Sequence, residues 1–129
     1  MANTKEIKPR ILEAEGEMDY DYANDILFFK IKDREYNFSI EFQNMVIDTD
    51  EEQFVVGIQI FNASEFLGMS KINLREIPKW QFKSKIEGGI IELRLNYQLK
   101  VRNKIFDKNP IIIQENKSES LRPQMVTTI

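Results

Sequence analysis

The most constraining feature of the 129-residue sequence is an alternation of apolar and polar residues on both sides of Gly88-Gly89. With Ser84 as the exception, apolar residues occupy every second position over 80–86 and again over 91–101. Successive side chains of a β-strand point to opposite faces of a sheet, so this spacing predicts two half-buried strands. A Gly-Gly pair is a typical two-residue hairpin turn. The segment therefore predicts a long antiparallel hairpin with one apolar and one polar face.

A second hairpin is predicted over 45–61, where two apolar runs flank an acidic turn. Four apolar residues at alternate positions define the core face of its second strand: Phe54, Val56, Ile58 and Ile60. Asn62 and Glu65 have the spacing of a capping box, which predicts a helix starting at Ala63. Ser70 can cap a further turn or two, and Pro78 ends the helical region. The region 63–77 is thus predicted to be one broken helix or two short ones.

Further strands are predicted over 17–22, 25–32, 38–43 and 111–114. Residues 9–17 could form an edge strand or a short helix, and the strand is favoured. The alternation slips over 103–106, which indicates a bulge or the end of a strand. The expected fold is mainly β (α+β): a single antiparallel β-sheet domain built of hairpins, with one short helical segment near 63–77.

The chain length fits one domain. We expect a flexible N-terminus over 1–8, a single β-rich domain over 9–114 and a flexible tail over 115–129, where apolar residues are sparse. No run is apolar enough for a signal peptide or a membrane span. The absence of cysteine suits a reducing compartment. The expectation is a soluble, cytoplasmic protein that contacts no membrane.

Histidine is also absent from the sequence. Without imidazole there is no Ser-His-Asp arrangement and no His-ligated metal, and without cysteine there is no thiolate site. Carboxylates, Lys, Tyr, Ser and Thr are the groups that remain for catalysis, and no motif organises them. The sequence predicts no enzyme, no catalytic residues, no cofactor and no metal.

The net charge of −3 conceals an uneven distribution of charged residues along the chain. Residues 1–70 contain six Lys/Arg and fifteen Asp/Glu, whereas residues 71–108 contain ten Lys/Arg and four Asp/Glu. Three interpretations are open: the two halves neutralise one another, the basic half meets an acidic partner or a nucleic acid, or opposite charges meet between copies.

Most of the positive charge falls on the polar face of the Gly88-Gly89 hairpin. This candidate binding face contains Lys79, Lys83, Lys85, Arg94, Lys100 and Arg102. Single-strand RNA readers place aromatic residues on the charged face, but Trp80, Phe82 and Tyr97 alternate to the opposite face. Contact with phosphate groups alone, or docking to an acidic protein, fits this arrangement better than single-strand RNA recognition does. A solvated face without a partner is the simplest alternative.

Two polar clusters have a structural and a functional interpretation. Asp48, Asp50, Glu51 and Glu52 crowd one turn and could hold a hard cation, but the turn lacks the ligand spacing and central glycine of a calcium loop, and a solvated hairpin tip is the simpler explanation. Tyr20, Asp21, Tyr22 and Asp25 could form an acid–base set, or Asp25 could cap a turn while the tyrosines pack at the sheet margin.

An ordered combination of motifs resembles a known family. The motifs are Y-D-x-x-x-D-x-L-x-F from Tyr20, an acidic D-x-D-E turn from Asp48, and V-G-I-x-I-x-N-A-S from Val56. Together they resemble the bacterial and archaeal domain of unknown function family 2283 over residues 19–67, and the rest resembles its longer archaeal members. The resemblance implies a small β-rich domain and no activity.

We therefore expect a non-enzymatic protein-interaction module. Its partner would be a second copy of itself, bound along exposed sheet edges, or another protein bound by the basic face. A nucleic-acid- or ribosome-associated protein that uses Lys83, Lys85, Arg94, Lys100 and Arg102 is the alternative from another class.

Overall fold

The hydrophobic core lies between two β-sheets in the structure, a computed structural model that describes residues 10–115 and 121–128. Phe29 of one sheet packs against Trp80 and Phe82 of the other, with ring centroids 5.6 and 5.5 Å apart. Such tilted and edge-on contacts between aromatic rings are favourable geometries. One hydrophobic cluster spans the inner faces of both sheets.

The first sheet contains five antiparallel strands in the spatial order β2-β3-β6-β5-β4. Its strands are β2 (Gly16–Asp21), β3 (Ile26–Ile31), β4 (Phe38–Phe42), β5 (Met45–Thr49) and β6 (Val55–Phe61). The predicted hairpin over 45–61 is confirmed as β5 and β6. All four predicted core residues of its second strand are at least nine-tenths buried.

The second sheet contains six strands, with β1-β11-β7-β8-β10 in order and β9 also paired to β8. Its strands are β1 (Arg10–Ala14), β7 (Trp80–Glu87), β8 (Ile90–Val101), β9 (Lys104–Lys108), β10 (Ile111–Glu115) and β11 (Gln124–Thr128). β1 and β11 are parallel, and the other pairs are antiparallel. The mainly β class is confirmed, although the strands form two sheets rather than one.

The alternation around Gly88-Gly89 produces β7 and β8 as predicted. Both glycines have positive φ, 59° and 76°, which a two-residue hairpin turn of this kind requires. Leu93 and Leu95 are buried, and Arg94 between them is exposed on the outer face. The twelve residues of β8 pair with β7 on one side and with β9 and β10 on the other.

The slip in alternation over 103–106 is a turn and a new strand, not a bulge. Arg102 and Asn103 both have positive φ, 50° and 64°, and they reverse the chain into β9. Asparagine tolerates this backbone conformation. The side chains of β9 are all exposed, and for this reason the sequence of β9 does not show the apolar alternation of a half-buried strand.

Two short helices follow β6, α1 (Ala63–Leu67) and α2 (Lys71–Glu76), as the sequence predicted. The Ser70 hydroxyl caps α2 by accepting a hydrogen bond from the Asn73 amide at 3.1 Å. The predicted capping box of α1 is wrong, because Asn62 has positive φ and its side chain makes no cap hydrogen bond. Neither described helix has the length and apolar composition that a membrane crossing requires.

The predicted tail over 115–129 is wrong wherever the structure describes it. Glu115 ends β10, and β11 is inserted between β1 and β7 with Val126 fully buried. The sequence hides this strand because two of its core-facing residues, Gln124 and Thr128, are polar. The flexible segment predicted over 1–8 lies outside the described residues, as do 9, 116–120 and 129.

The buried Thr128 supplies a test of this last strand. A Cβ added to Gly16 would lie 2.5 Å from Thr128 Cγ2, and Thr128 Oγ1 is fixed by hydrogen bonds with the Phe82 amide and carbonyl at 2.9 and 3.1 Å. We expect Gly16→Ala to lower the free energy of unfolding by about 1–3 kcal/mol, because neither side chain can move away. Urea titration measures this change.

Thr128→Ser provides the matched second variant, because it keeps the hydroxyl and removes Cγ2. We expect the cost of Gly16→Ala to be smaller in the Thr128→Ser background than in the original chain. Equal costs in the two backgrounds would show that β11 does not pack on Gly16.

Candidate functional site

Three of the six predicted basic residues form one patch on the outer face of the six-stranded sheet. Lys83 on β7 is the cross-strand partner of Arg94 on β8, and Lys85 lies two positions further along β7 on the same side. Directly opposed residues of paired strands have Cβ atoms about 5 Å apart, so the two cations lie side by side. We call Lys83, Lys85 and Arg94 the basic patch.

Ion pairs offset part of this charge. Arg94 donates two hydrogen bonds to Glu92, at 2.7 and 3.0 Å, and Lys85 lies 3.2 Å from Glu87. Exposed ion pairs contribute about 0–1 kcal/mol, so these contacts leave the side chains free to change partners.

The other three predicted residues are separated from the basic patch. Lys100 shares its face but lies six positions further along β8 than Arg94. Lys79 precedes β7 and lines a separate groove of about 450 Å³, and Arg102 lies in the β8–β9 turn. By register Lys79 and Lys100 still share the outer face with the basic patch, so the six residues are spread along that face rather than clustered, and binding by them stays a prediction.

An apolar feature that the sequence analysis missed lies beside the basic patch. Four isoleucines on β8, β9 and β10 share the outer face and are 48–65% exposed. Ile90, Ile111 and Ile113 form the isoleucine strip, whereas Ile105 pairs with Lys100 further along the sheet. The run 111–113 was assigned correctly to a strand, but its position at the sheet edge depends on pairing that the run itself does not encode.

The outer face of the five-stranded sheet is acidic and contains a groove of about 630 Å³. Gly57 lies between Lys30 on β3 and Asp48 on β5, and the Asp48 carboxylate lies close over it, because a Cβ at position 57 would be 2.9 Å from Asp48 Oδ2. Phe28 and Val56 supply apolar surface, and the loop 34–36 borders the groove. Four carboxylates and two cations line it: Glu17, Asp19, Glu35 and Asp48, with Lys30 and Arg34. We call it the acidic groove.

The acidic turn after β5 has a basic neighbour that the sequence did not reveal. Asp50 is only 5% exposed, accepts a hydrogen bond from the Phe54 amide at 2.9 Å and contacts Arg34 at 2.6 Å. Its carboxylate therefore shapes the turn, whereas Glu51 and Glu52 are exposed. Within residues 10–115 and 121–128, no three acidic side chains are placed together to hold a metal ion.

Two of the four residues in the Tyr20, Asp21, Tyr22 and Asp25 set, Tyr20 and Asp25, form a structural cluster with Ser64. Asp25 accepts hydrogen bonds from the Tyr20 hydroxyl at 2.5 Å, from the Ser64 hydroxyl at 2.6 Å and from the Ser64 amide at 3.0 Å. The Ala63 amide donates to the Asp25 carbonyl at 3.0 Å. The residue that caps α1 thus comes from the β2–β3 turn rather than from Asn62.

These contacts shift the pKa values of both acidic groups. Burial alone would raise the pKa of Asp25, but the hydrogen bonds from Ser64 and Tyr20 outweigh it and lower the pKa below its ordinary value. Burial and the adjacent carboxylate raise the pKa of Tyr20 far above its ordinary value. A protonated tyrosine bonded to an ionised aspartate is a stable pair, which favours the structural interpretation.

The remaining two members of the set lie outside this cluster. Lys71 Nζ and the Arg75 guanidinium lie 4.6 and 4.8 Å from the centre of the half-exposed Tyr22 ring. Asp21 accepts hydrogen bonds from the side chain and amide of Asn24, which lower its pKa. The cation contacts of Tyr22 and the hydrogen bonds of Asp21 stabilise the β2–β3 turn.

Comparison with known proteins places the chain among its relatives. Residues 17–64 match the family model described as "Protein of unknown function (DUF2283)". A Methanosarcina mazei protein named "Putative hypoxanthine phosphoribosyltransferase" is 30% identical over 90 residues, which are 70% of this chain and 73% of the relative. The chain belongs to the DUF2283 family. The resemblance inferred from the motifs is confirmed.

A second relative of the DUF2283 chain is an uncharacterized protein of Methanocaldococcus jannaschii. It is 31% identical over 96 residues, which are 74% of this chain and 83% of the relative. No solved structure matches the chain significantly. The segment that matches the family model runs from β2 to the first turn of α1, so it corresponds to the five-stranded sheet.

Asp25 links two parts of that segment and supplies the test of the cluster. We expect Asp25→Asn to lower the free energy of unfolding at neutral pH by about 1–2 kcal/mol, because the cap loses its charge. The pKa of Asp25 is lowered in the folded protein, so its contribution is present above the unfolded pKa and lost as pH falls through the folded pKa. The variant should therefore show a smaller loss of stability on acidification.

Asp33→Asn is the matched control for this variant. Asp33 is exposed and also has positive φ, 63°, so the substitution makes the same chemical change at a similar backbone conformation. Chemical denaturation between about pH 3 and pH 7 compares the two. Equal effects of the two substitutions at each pH would contradict the role of Asp25.

Proposed function

We propose that this DUF2283 protein is a non-enzymatic protein-interaction module that associates with a second copy of itself through the β10 edge. The observation that carries the proposal is the isoleucine strip. Ile111 and Ile113 are 49 and 64% exposed on a strand that, among the described residues, pairs on one side only. Unpaired strand edges with apolar side chains are templates for pairing with another chain.

Antiparallel pairing of β10 with its copy would join the backbone groups of Ile111 and Ile113 in the two chains. A two-fold axis makes such a contact self-complementary, because the same residues face each other from both chains. It would also place Ile111 and Ile113 of both copies beside one another, where burying each side chain contributes about 1–3 kcal/mol. Aliphatic side chains at the edge and cations toward the sheet centre fit an interface with an apolar core.

The proposal of a non-enzymatic role departs from the name of the Methanosarcina relative, which mentions a phosphoribosyltransferase. Phosphate groups are commonly bound at a glycine-rich loop that leads into a helix. Here the two described helices have five and six residues and follow Asn62 and Ser70. The Tyr20–Asp25 and Asp50–Arg34 pairs are engaged in structural contacts. Transfer of a phosphoribosyl group to hypoxanthine by the purified protein would overturn this part of the proposal.

The isoleucine strip provides the test of self-association. We expect Ile111→Lys/Ile113→Lys to raise the dissociation constant of the dimer at least about 100-fold, because four lysines would meet at the two-fold axis. Sedimentation equilibrium over a range of protein concentrations measures it. Ile72→Lys is a single-lysine control, because Ile72 is 51% exposed on α2, away from the strip.

A monomer at all protein concentrations in the original chain would contradict the proposal. An unchanged dimer in Ile111→Lys/Ile113→Lys would place the contact elsewhere. A loss of dimer in Ile72→Lys as well would show that the lysines act through net charge rather than through the edge.

A second candidate function, nucleic-acid binding, rests on the basic patch. Lys83 and Arg94 lie side by side on an open sheet face, a spacing that suits adjacent phosphates. In this case Lys83→Glu/Arg94→Glu should abolish binding to a mixed-sequence duplex, and binding should weaken steeply as salt rises. Lys104→Glu/Lys108→Glu, on β9, is the charge-matched control. Association that survives nuclease treatment and is unchanged by Lys83→Glu/Arg94→Glu would contradict this candidate.

A further inference from the structure

We propose that the acidic groove of one copy binds the basic patch of another, so that copies also associate head to tail. This inference deepens the proposed self-association and rests on that function, but it uses residues on the sheet faces rather than the β10 edge. The occupant of the groove is therefore a second copy of this chain.

The acidic groove and the basic patch lie on outer faces that point away from each other. The inner faces of the two sheets pack on each other through Phe29 and Phe82. The outer faces consequently point in opposite directions, one with the acidic groove and the other with the basic patch. The opposite charges of the two chain halves are thus displayed on opposite sides of the molecule.

The ion pairs that join described residues of one molecule do not connect its acidic half with its basic half. Each ion pair seen in the described part of the chain joins residues of the same half. Lys32 pairs with Glu15, and Arg34 pairs with Asp50 and Glu52, whereas Lys85 and Arg94 pair with Glu87 and Glu92. The two outer faces cannot neutralise one another within a molecule, because the core separates them. Complementary pairing of these faces requires two copies.

The acidic groove has more negative than positive side chains and also some apolar surface. Glu17, Asp19 and Asp48 line the groove together with Phe28. Lys30, the cross-strand partner of both Glu17 and Gly57, offsets part of their charge. Arg34 also lines the groove, but its guanidinium lies 2.6 Å from Asp50, so part of its charge is already offset. The groove therefore combines negative charge at its rim with apolar surface at its floor.

Lysine and arginine side chains suit such a groove. Their aliphatic stems cover apolar surface while the charged ends reach the carboxylates at the rim. Lys83 and Arg94 lie side by side and would enter together, exchanging Glu92 for carboxylates of the next copy. Because the two contacting surfaces differ, the contact is heterologous, and repeated use forms a ring or a chain of copies.

Two charge-reversed variants test the contact. Glu17→Lys/Asp19→Lys makes the acidic groove positive, and Lys83→Glu/Arg94→Glu makes the basic patch negative. We expect each variant alone to lose the assemblies larger than a dimer, because like charges then face one another. An equimolar mixture should regain them, because each variant supplies the complement that the other lacks. Sedimentation velocity at about 0.05 M salt measures the assemblies.

Glu65→Lys/Glu76→Lys is the control, because both glutamates are exposed on the helices and the change in net charge equals that of the groove variant. We expect this control to assemble like the original chain. Assembly of the original chain should weaken at least tenfold at about 0.5 M salt, where the Debye length is only a few ångströms.

The outcomes distinguish this contact from the β10 edge. Loss of the larger assemblies in high salt with a persisting dimer supports both contacts. A dimer that never grows at low salt, or a mixture that stays as small as its components, overturns the head-to-tail contact alone. Larger assemblies in the original chain without any effect of Ile111→Lys/Ile113→Lys overturn the edge contact alone.

Discussion

The buried side-chain amide of Gln124 joins the two sheets, and much of the structure depends on it. Its Oε1 accepts a hydrogen bond from the Val55 amide at 2.8 Å, and its Nε2 donates to the Gln53 carbonyl at 2.6 Å. Leaving such buried backbone groups unpaired would cost about 1–3 kcal/mol each. Arg10 binds the same turn through the carbonyls of Glu52 and Gln53 and lies 4.4 Å from the centre of the Phe54 ring. The first and last described strands therefore hold the turn before β6 in place.

This connection explains how the segment that matches the DUF2283 model relates to the rest of the chain. The match ends at Ser64, yet the inner face of the five-stranded sheet is covered by side chains of β7, including Trp80 and Phe82. The six-stranded sheet completes the core and at the same time supplies a second outer face. Because the two inner faces are shared, the acidic and basic surfaces are held on opposite sides, and the isoleucine strip remains at an edge.

The sequence revealed part of the candidate surfaces. Alternation was sufficient to place Lys83, Lys85 and Arg94 on one exposed face, because that face is opposite to an apolar one. It was insufficient for Ile111 and Ile113, since three consecutive isoleucines do not alternate with polar residues and so do not indicate which face is exposed, whereas the structure buries Ile112 between them. The cap of α1 by Asp25 and the contact of Asp50 with Arg34 join residues 39 and 16 positions apart, and no local pattern specifies such pairs.

The sequence by itself determined the extended segments other than β9 and β11, where the Gly88-Gly89 turn falls, and that acidic and basic residues occupy different halves. These properties follow from backbone geometry and side-chain periodicity within a few residues. The tertiary structure alone decided that the strands divide into two sheets, that β1 lies parallel to β11, and that a polar C-terminal segment occupies the interior of a sheet. Strand pairing joins residues far apart in sequence, and a polar residue such as Gln124 is stable inside only when distant backbone groups satisfy it.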